Sequence, residues 1–200
     1  NRGMRIFLTL FVAISLWLVS NAEKPNIVII FTDDQGYADL GCYGSKTNKT
    51  PRLDRLAKEG TMFTSFYTQA VCGPSRSALL TGRYPCRSKG WGMPASEITF
   101  AELIKGAGYQ TACIGKWDVS NRKPIIDRMP NAQGFDYFFG ALGANDPGTI
   151  KFHLNNEAAG TSKDMGGLTT LYTDKSIDFL KNKRDPNKPF VLYLAHTMMH

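Results

Sequence analysis

The sequence predicts an α/β protein, a mainly parallel sheet sandwiched by helices. Two short, continuously apolar runs, Asn26–Phe31 and Phe190–Ala195, have the composition of interior strands, the first rich enough in β-branched residues to be buried on both faces. Between them lie segments with helical spacing and recognisable start and stop signals. Strand and helix alternate along the chain, which favours parallel pairing with helices on both faces of the sheet.

In order, Asn26–Phe31 is the first strand. Thr50-Pro51 opens a helix carrying Leu53, Leu56, Ala57 and Gly60 at helical spacing, with proline suited to the first position. A second helix is predicted from near Ser75 through Leu80. Thr99 and Glu102 have capping-box spacing ahead of a third, whose Phe100, Leu103, Ile104 and Ala107 share a face and which Gly108 ends. Tyr109–Ile114 reads as a strand. From Lys116 to about Gly167 the chain is rich in Gly, Pro and Asn, and long loops with short elements are expected over a site mouth. The exception there is the aromatic cluster Phe135, Tyr137, Phe138 and Phe139. Leu168–Lys183 returns to helix, with Leu168, Leu171, Tyr172 and Phe179 on one face and Ile177 off it.

The 200 residues are 42% hydrophobic and 20% charged, which excludes a disordered chain, and a mean hydropathy of −0.24 excludes a polytopic membrane protein. The net charge is +7, yet no Lys/Arg run exceeds two residues, so no nucleic-acid-binding tail is expected. Four cysteines without a CxxC or Cys/His pattern make neither a disulfide scaffold nor a zinc site.

Arg2 and Arg5 flank the apolar stretch Ile6–Val19, and Ser20-Asn21-Ala22 supplies small residues for cleavage, the pattern of a secretory signal over residues 1–22. The stretch is shorter than the roughly 20 residues a membrane span needs, so no stable membrane insertion is expected. Cleavage would lower the charge to +5 by removing Arg2 and Arg5. Asn1 precedes Met4, and His200 follows an interior strand directly, so residues 23–200 are expected to be part of a longer protein.

Polar groups of different chemistry follow the strands: Asp33-Asp34 the first, Gly115-Lys116 the second, His196 and His200 the last. Ligands of open α/β sheets bind at the carboxyl ends of strands. Asp33-Asp34-Gln35-Gly36 is either a solvated turn or a pair of hard oxygen ligands for a divalent cation. Cys72-Gly73-Pro74-Ser75-Arg76 places a thiol just before a proline-initiated helix, whose amides favour negative charge, with Arg76 one turn on. A buried structural cysteine is the alternative.

Cys72-x-Pro-Ser-Arg76 followed by Leu80-Thr-Gly-Arg83 resembles the signature of the type I sulfatases, whose folds are alkaline-phosphatase-like. The resemblance extends through Lys24–Asp34, Thr50–Ala57, Gly108–Ala112, Gly115-Lys-Trp117, Gly134–Gly140 and Pro189–His196. It implies the N-terminal portion of a catalytic domain that hydrolyses sulfate esters, aryl sulfates or sulfated glycans. It also implies that Cys72 is converted to formylglycine by a formylglycine-generating enzyme, and that one Ca²⁺ is held by Asp33, Asp34 and residue 72. Arg76 would stabilise the hydrated aldehyde, Lys116 would hold a sulfate oxygen, and His200 would contact sulfate and protonate the leaving oxygen. The setting is extracytoplasmic: secreted, periplasmic or lysosomal.

Three departures accompany the resemblance. Asp118-Val119-Ser120 stands where the family has His-Leu-Gly, so Asp118 replaces a catalytic histidine and slow turnover is expected. Met199 replaces a proline, and His196 is a rival to His200. The family's later metal loop and second sulfate-binding lysine have no counterpart here; Asn145-Asp146 sits in a different context. Weak Ca²⁺ binding and negligible activity are therefore expected of residues 23–200 alone. A sulfatase-like binding protein without catalysis, and a phosphate or phosphonate ester hydrolase of the same superfamily, are the alternatives.

Overall fold

The computed structural model describes residues 23–200; the predicted signal segment lies outside them. No helix among the described residues is long and apolar enough to cross a membrane. The six strands are β1 (Ile27–Phe31), β2 (Gln110–Lys116), β3 (Tyr137–Ala141), β4 (Ile150–Leu154), β5 (Glu157–Ser162) and β6 (Phe190–Ala195). They form one sheet in the order β1-β6-β2-β3-β4-β5. β1, β6, β2 and β3 are parallel, and β4 and β5 continue the sheet antiparallel as a hairpin. The region expected to be mostly loop therefore contributes three strands. Tyr137, Phe138 and Phe139 of the aromatic cluster begin β3, which is buried on both faces and so carries no alternation.

The helices are α1 (Pro51–Glu59), α2 (Cys72–Thr81), α3 (Pro85–Ser88), α4 (Phe100–Gly106) and α5 (Leu168–Asp178), the last continuing as a π-turn over Phe179–Lys183. The capping box forms as predicted: Glu102 N donates to Thr99 Oγ1 and Thr99 N to Glu102 Oε2 (2.8 Å). The buried side of α4 differs from the predicted one, since Phe100 and Ala101 face inward while Leu103 is exposed. α5 buries Leu168, Tyr172 and Phe179 and leaves Ile177 out, as its spacing required.

Alternation along the strands splits the interior in two. Cys113, Phe138 and Tyr193 point to one face, where they pack with Leu80, Phe100, Trp117 and Phe135. Ile114, Phe139, Leu192 and Leu194 point to the other, under Leu168, Tyr172 and Phe179 of α5. β1 departs from expectation. It is an edge strand, and Val28 and Ile30 are 51% and 59% exposed, because α5 lies over β2 and β6 and does not reach it. Close packing of β2 rests on Gly115 (φ +115°), where an added Cβ would lie 1.8 Å from the Ala195 carbonyl oxygen.

Candidate active site

The carboxyl ends of β1, β2 and β6 meet as the sequence indicated. The chain leaving β6 is laced to that leaving β1: His196 N donates to Phe31 O (2.8 Å), Asp33 N to Met198 O (3.1 Å) and Met199 N to Asp33 O (2.6 Å). Asp34, Asp118, Asn121 and Arg122 all adopt left-handed backbone conformations at this edge. Each costs on the order of 1 kcal/mol, a strain that folds tolerate chiefly at functional positions.

Arg76 and Lys116 are both wholly buried, and both reach Asp33. Lys116 Nζ lies 2.6 Å from Asp33 Oδ2, and Arg76 Nη2 lies 3.4 Å from Asp33 Oδ1. Arg76 also donates to the carbonyls of Lys116 (3.0 Å) and His196 (3.1 Å) and to the Tyr193 hydroxyl (3.4 Å), and it stacks over Phe31. One side chain on α2 thus fixes the ends of three strands.

Cys72 occupies the first turn of α2 rather than preceding it, with Val71 as the cap. It borders a cleft of ≈ 410 Å³ lined by Asp33, Asp34, Gln35 and Thr68–Val71. Burial, then the neighbouring Asp118 carboxylate, push its thiol above the ordinary range, while Lys116 opposes them. Burial and Asp118 therefore work against the negative charge that the helix amides favour at this position. The Trp91 indole lies on the first turn of α2, so close that a Cβ on Gly73 would fall 2.2 Å from it.

Asp118 is buried and fully engaged. Its Oδ2 accepts from Trp91 Nε1 (3.1 Å) and stands 3.7 Å from Lys116 Nζ; its Oδ1 accepts from Arg122 Nε (2.9 Å). Neither Trp91 nor Arg122 was singled out from the sequence, since both act through a partner distant along the chain or in an irregular loop. Asp146, set aside on sequence context, comes to the same edge: it pairs with Arg122 (3.4 Å) and with His200 Nε2. His200 Nδ1 bonds Asp34 Oδ2 (2.6 Å). Asp146 first, and then Asp34, raise the proton affinity of this imidazole above the usual histidine range. The rival His196 meets the site through its backbone, and burial, then Arg76, lower the proton affinity of its ring.

The three residues expected to hold a metal, Asp33, Asp34 and Cys72, line one cleft. Among the described residues no three His, Cys, Asp or Glu side chains come together as a metal cluster. Asp33 has both oxygens on cations and Asp34 is engaged by His200, whereas Ca²⁺ takes six to eight oxygens. The cysteines are all free thiols, and Cys113 is buried in the core.

The sulfatase family model matches residues 25–200. The chain is 33% identical to rat N-acetylgalactosamine-6-sulfatase, with all of this chain and 44% of the relative covered. It is 36% identical to human arylsulfatase A over 90% of this chain and 42% of that protein. It thus spans less than half the length of these relatives. Among solved structures, BT4656 in complex with its substrate D-glucosamine-2-N,6-O-disulfate superposes with a TM-score of 0.76 at 33% identity, covering 89% of this chain and 35% of that one. Phosphonate monoester hydrolase of Agrobacterium radiobacter shares the fold alone, with a TM-score of 0.54 at 17% identity over 85% of this chain and 40% of that one. With a match this continuous, covering every element that builds the site, the chain belongs to the sulfatase family.

Proposed function

We propose that this chain is the N-terminal part of an enzyme that hydrolyses sulfate esters, with Cys72 as the residue converted to formylglycine. The observation that carries the proposal is the convergence of two wholly buried cations, Lys116 and Arg76, on Asp33 beside a half-buried cysteine at the sheet's carboxyl edge. The raised proton affinity of the thiol argues against simple thiolate catalysis at this position. A formylglycine there supplies a geminal-diol nucleophile that a thiol cannot.

The chain's own residues then have distinct tasks. Lys116 holds a sulfate oxygen as a compact point charge. Arg76 is a positioning residue, clamping the Lys116 and His196 carbonyls and Asp33. His200, whose proton affinity Asp146 and Asp34 raise, hands its proton to the leaving oxygen. Calcium binding at Asp33, Asp34 and residue 72 calls for six to eight oxygens, more than these three residues supply. Negligible activity is accordingly expected of residues 23–200 alone. The disulfated glucosamine bound by BT4656 supports a sulfated glycan as the substrate class. The predicted signal over residues 1–22 supports an extracytoplasmic setting.

Asp118 favours one second reading, a sulfatase-like binding protein without catalysis. Its oxygens accept from Trp91 and Arg122 and face Lys116, so it ties these three groups together beside Cys72 in place of the family's histidine.

The test is co-expression of a full-length protein bearing this chain with a formylglycine-generating enzyme. Mass spectrometry of the tryptic peptide Glu59–Arg76 should show the aldehyde, and sulfate release from an aryl sulfate should vanish in Cys72→Ala. A native thiol together with undiminished release would refute the proposal. Binding of a sulfated sugar without release would select the second reading, and faster attack on a phosphonate monoester would select the superfamily alternative.

A further inference from the structure

A second cavity, ≈ 630 Å³, lies where Leu142, Gly143 and Ala144 lead away from β3. Lys151 and His153 of β4 wall it on one side and Arg122 on another. Its volume is that of a small-molecule site. No carboxylate lines it, and burial keeps His153 neutral, so its charges are the two cations.

The cavity adjoins the Cys72 centre through a single carboxylate. Arg122 Nε is 2.9 Å from Asp118 Oδ1, and Lys116 Nζ is 3.7 Å from Asp118 Oδ2. Arg122 is held in place. Its backbone is left-handed (φ +57°), its Nη1 lies 3.4 Å from Asp146 Oδ2, and its stem rests on Gly143, where a Cβ would come within 3.2 Å of Cγ and Cδ. Among the described residues its Nη2 has no hydrogen-bond partner.

We propose that this cavity receives the leaving-group sugar of the ester, and that Arg122 and Lys151 recognise a second anionic substituent on it, a sulfate or a carboxylate. This rests on the sulfate-ester proposal above. The reacting sulfate would sit at Lys116 and the second anion at Arg122, the two cations that flank Asp118. A preoriented guanidinium suits a planar or tetrahedral oxyanion and loses little freedom on binding.

The test is calorimetric titration of the full-length protein bearing this chain, and of its Lys151→Gln and Arg122→Lys variants, with a monosulfated and a disulfated glucosamine. The unaltered protein should bind the disulfated sugar at least tenfold more tightly, on the order of one charge-assisted pair. Lys151→Gln should erode that preference without changing affinity for the monosulfated sugar; Lys151 is exposed and contacts no part of the Cys72 centre, so the fold stands. Equal affinity for the two sugars, or a preference unchanged in both variants, overturns the inference. Sulfate release is measured in parallel on the formylglycine-bearing protein. Preference without release supports the subsite and defeats the catalytic proposal, whereas release without preference does the reverse.

Discussion

Replacing Arg76 by methionine should be the most damaging single change at the site. The guanidinium is wholly buried and satisfies Asp33, the carbonyls of Lys116 and His196, and the Tyr193 hydroxyl. Methionine fills much of the volume and makes none of these bonds. Removing one partner of a buried ion pair costs about 3–5 kcal/mol, largely because the other partner stays buried and uncompensated. Asp33 keeps Lys116 at 2.6 Å, which limits the loss, while two buried carbonyls lose charged donors. We expect a net destabilisation of about 4 kcal/mol. With a urea slope of about 2 kcal/mol/M for a chain of this size, the unfolding midpoint followed by circular dichroism should fall by about 2 M. A fall of less than about 0.5 M would mean that Arg76 does not tie the three strand ends together.

Two further outcomes follow from packing and titration. Gly115→Ala should cost at least about 3 kcal/mol, because its Cβ would meet the backbone of Ala195, which cannot yield, at a φ of +115°; a urea midpoint within error of the parent would refute this. Burial pushes the Tyr193 hydroxyl up to about 12, against the pull of Arg76. The folded state therefore holds that proton more tightly than the unfolded chain, whose tyrosine titrates near 10. Stability from this group is complete below pH 10 and is lost as pH rises from there to 12, by about 3 kcal/mol in total. Alkaline unfolding of Tyr193→Phe should lack this component, and an unchanged pH profile would refute the assignment.

The site was legible wherever chemistry and strand position coincide. Asp33, Lys116 and His200 each follow an apolar run, so sheet topology alone sends them to one edge. Arg76 was legible because helical spacing ties it to Cys72. What escaped depends on contacts no local pattern encodes. Trp91 matters because Gly73 leaves room for its ring and Asp118 accepts its N–H, 27 residues apart. Arg122 and Asp146 join the site across two irregular loops. β5 was hidden because its residues are polar or small and pairing with β4 makes it a strand, whereas β4 (Ile-Lys-Phe-His-Leu) carries a strand's alternation over only five residues, too few to stand out among the surrounding Gly, Pro and Asn. The open face of β1 had no local signal either, since a buried strand and an uncovered one share the same apolar run.

Whether the buried charges serve folding or function can be decided by removing them together. A buried ion cluster adds little net stability, because desolvation of its members offsets their attraction, and well-packed apolar replacements are commonly neutral or stabilising by about 1–4 kcal/mol. Arg76, Lys116 and Asp33 form such a cluster, with Phe31 and Tyr193 already against the guanidinium. The concerted variant Arg76→Met, Lys116→Met, Asp33→Leu should therefore recover most of the stability that Arg76→Met alone loses, since no carboxylate is left stranded between missing cations. Asp118 retains Arg122 and Trp91, so its charge remains compensated. The same variant should bind no sulfate ester, having lost both buried cations that converge on Asp33 of the cleft. If it unfolds in less urea than the single variant, the cluster is a structural necessity and its placement beside Cys72 says nothing of catalysis. If it folds as well as the parent yet fails to bind, the desolvation of these charges is maintained for the anion they face.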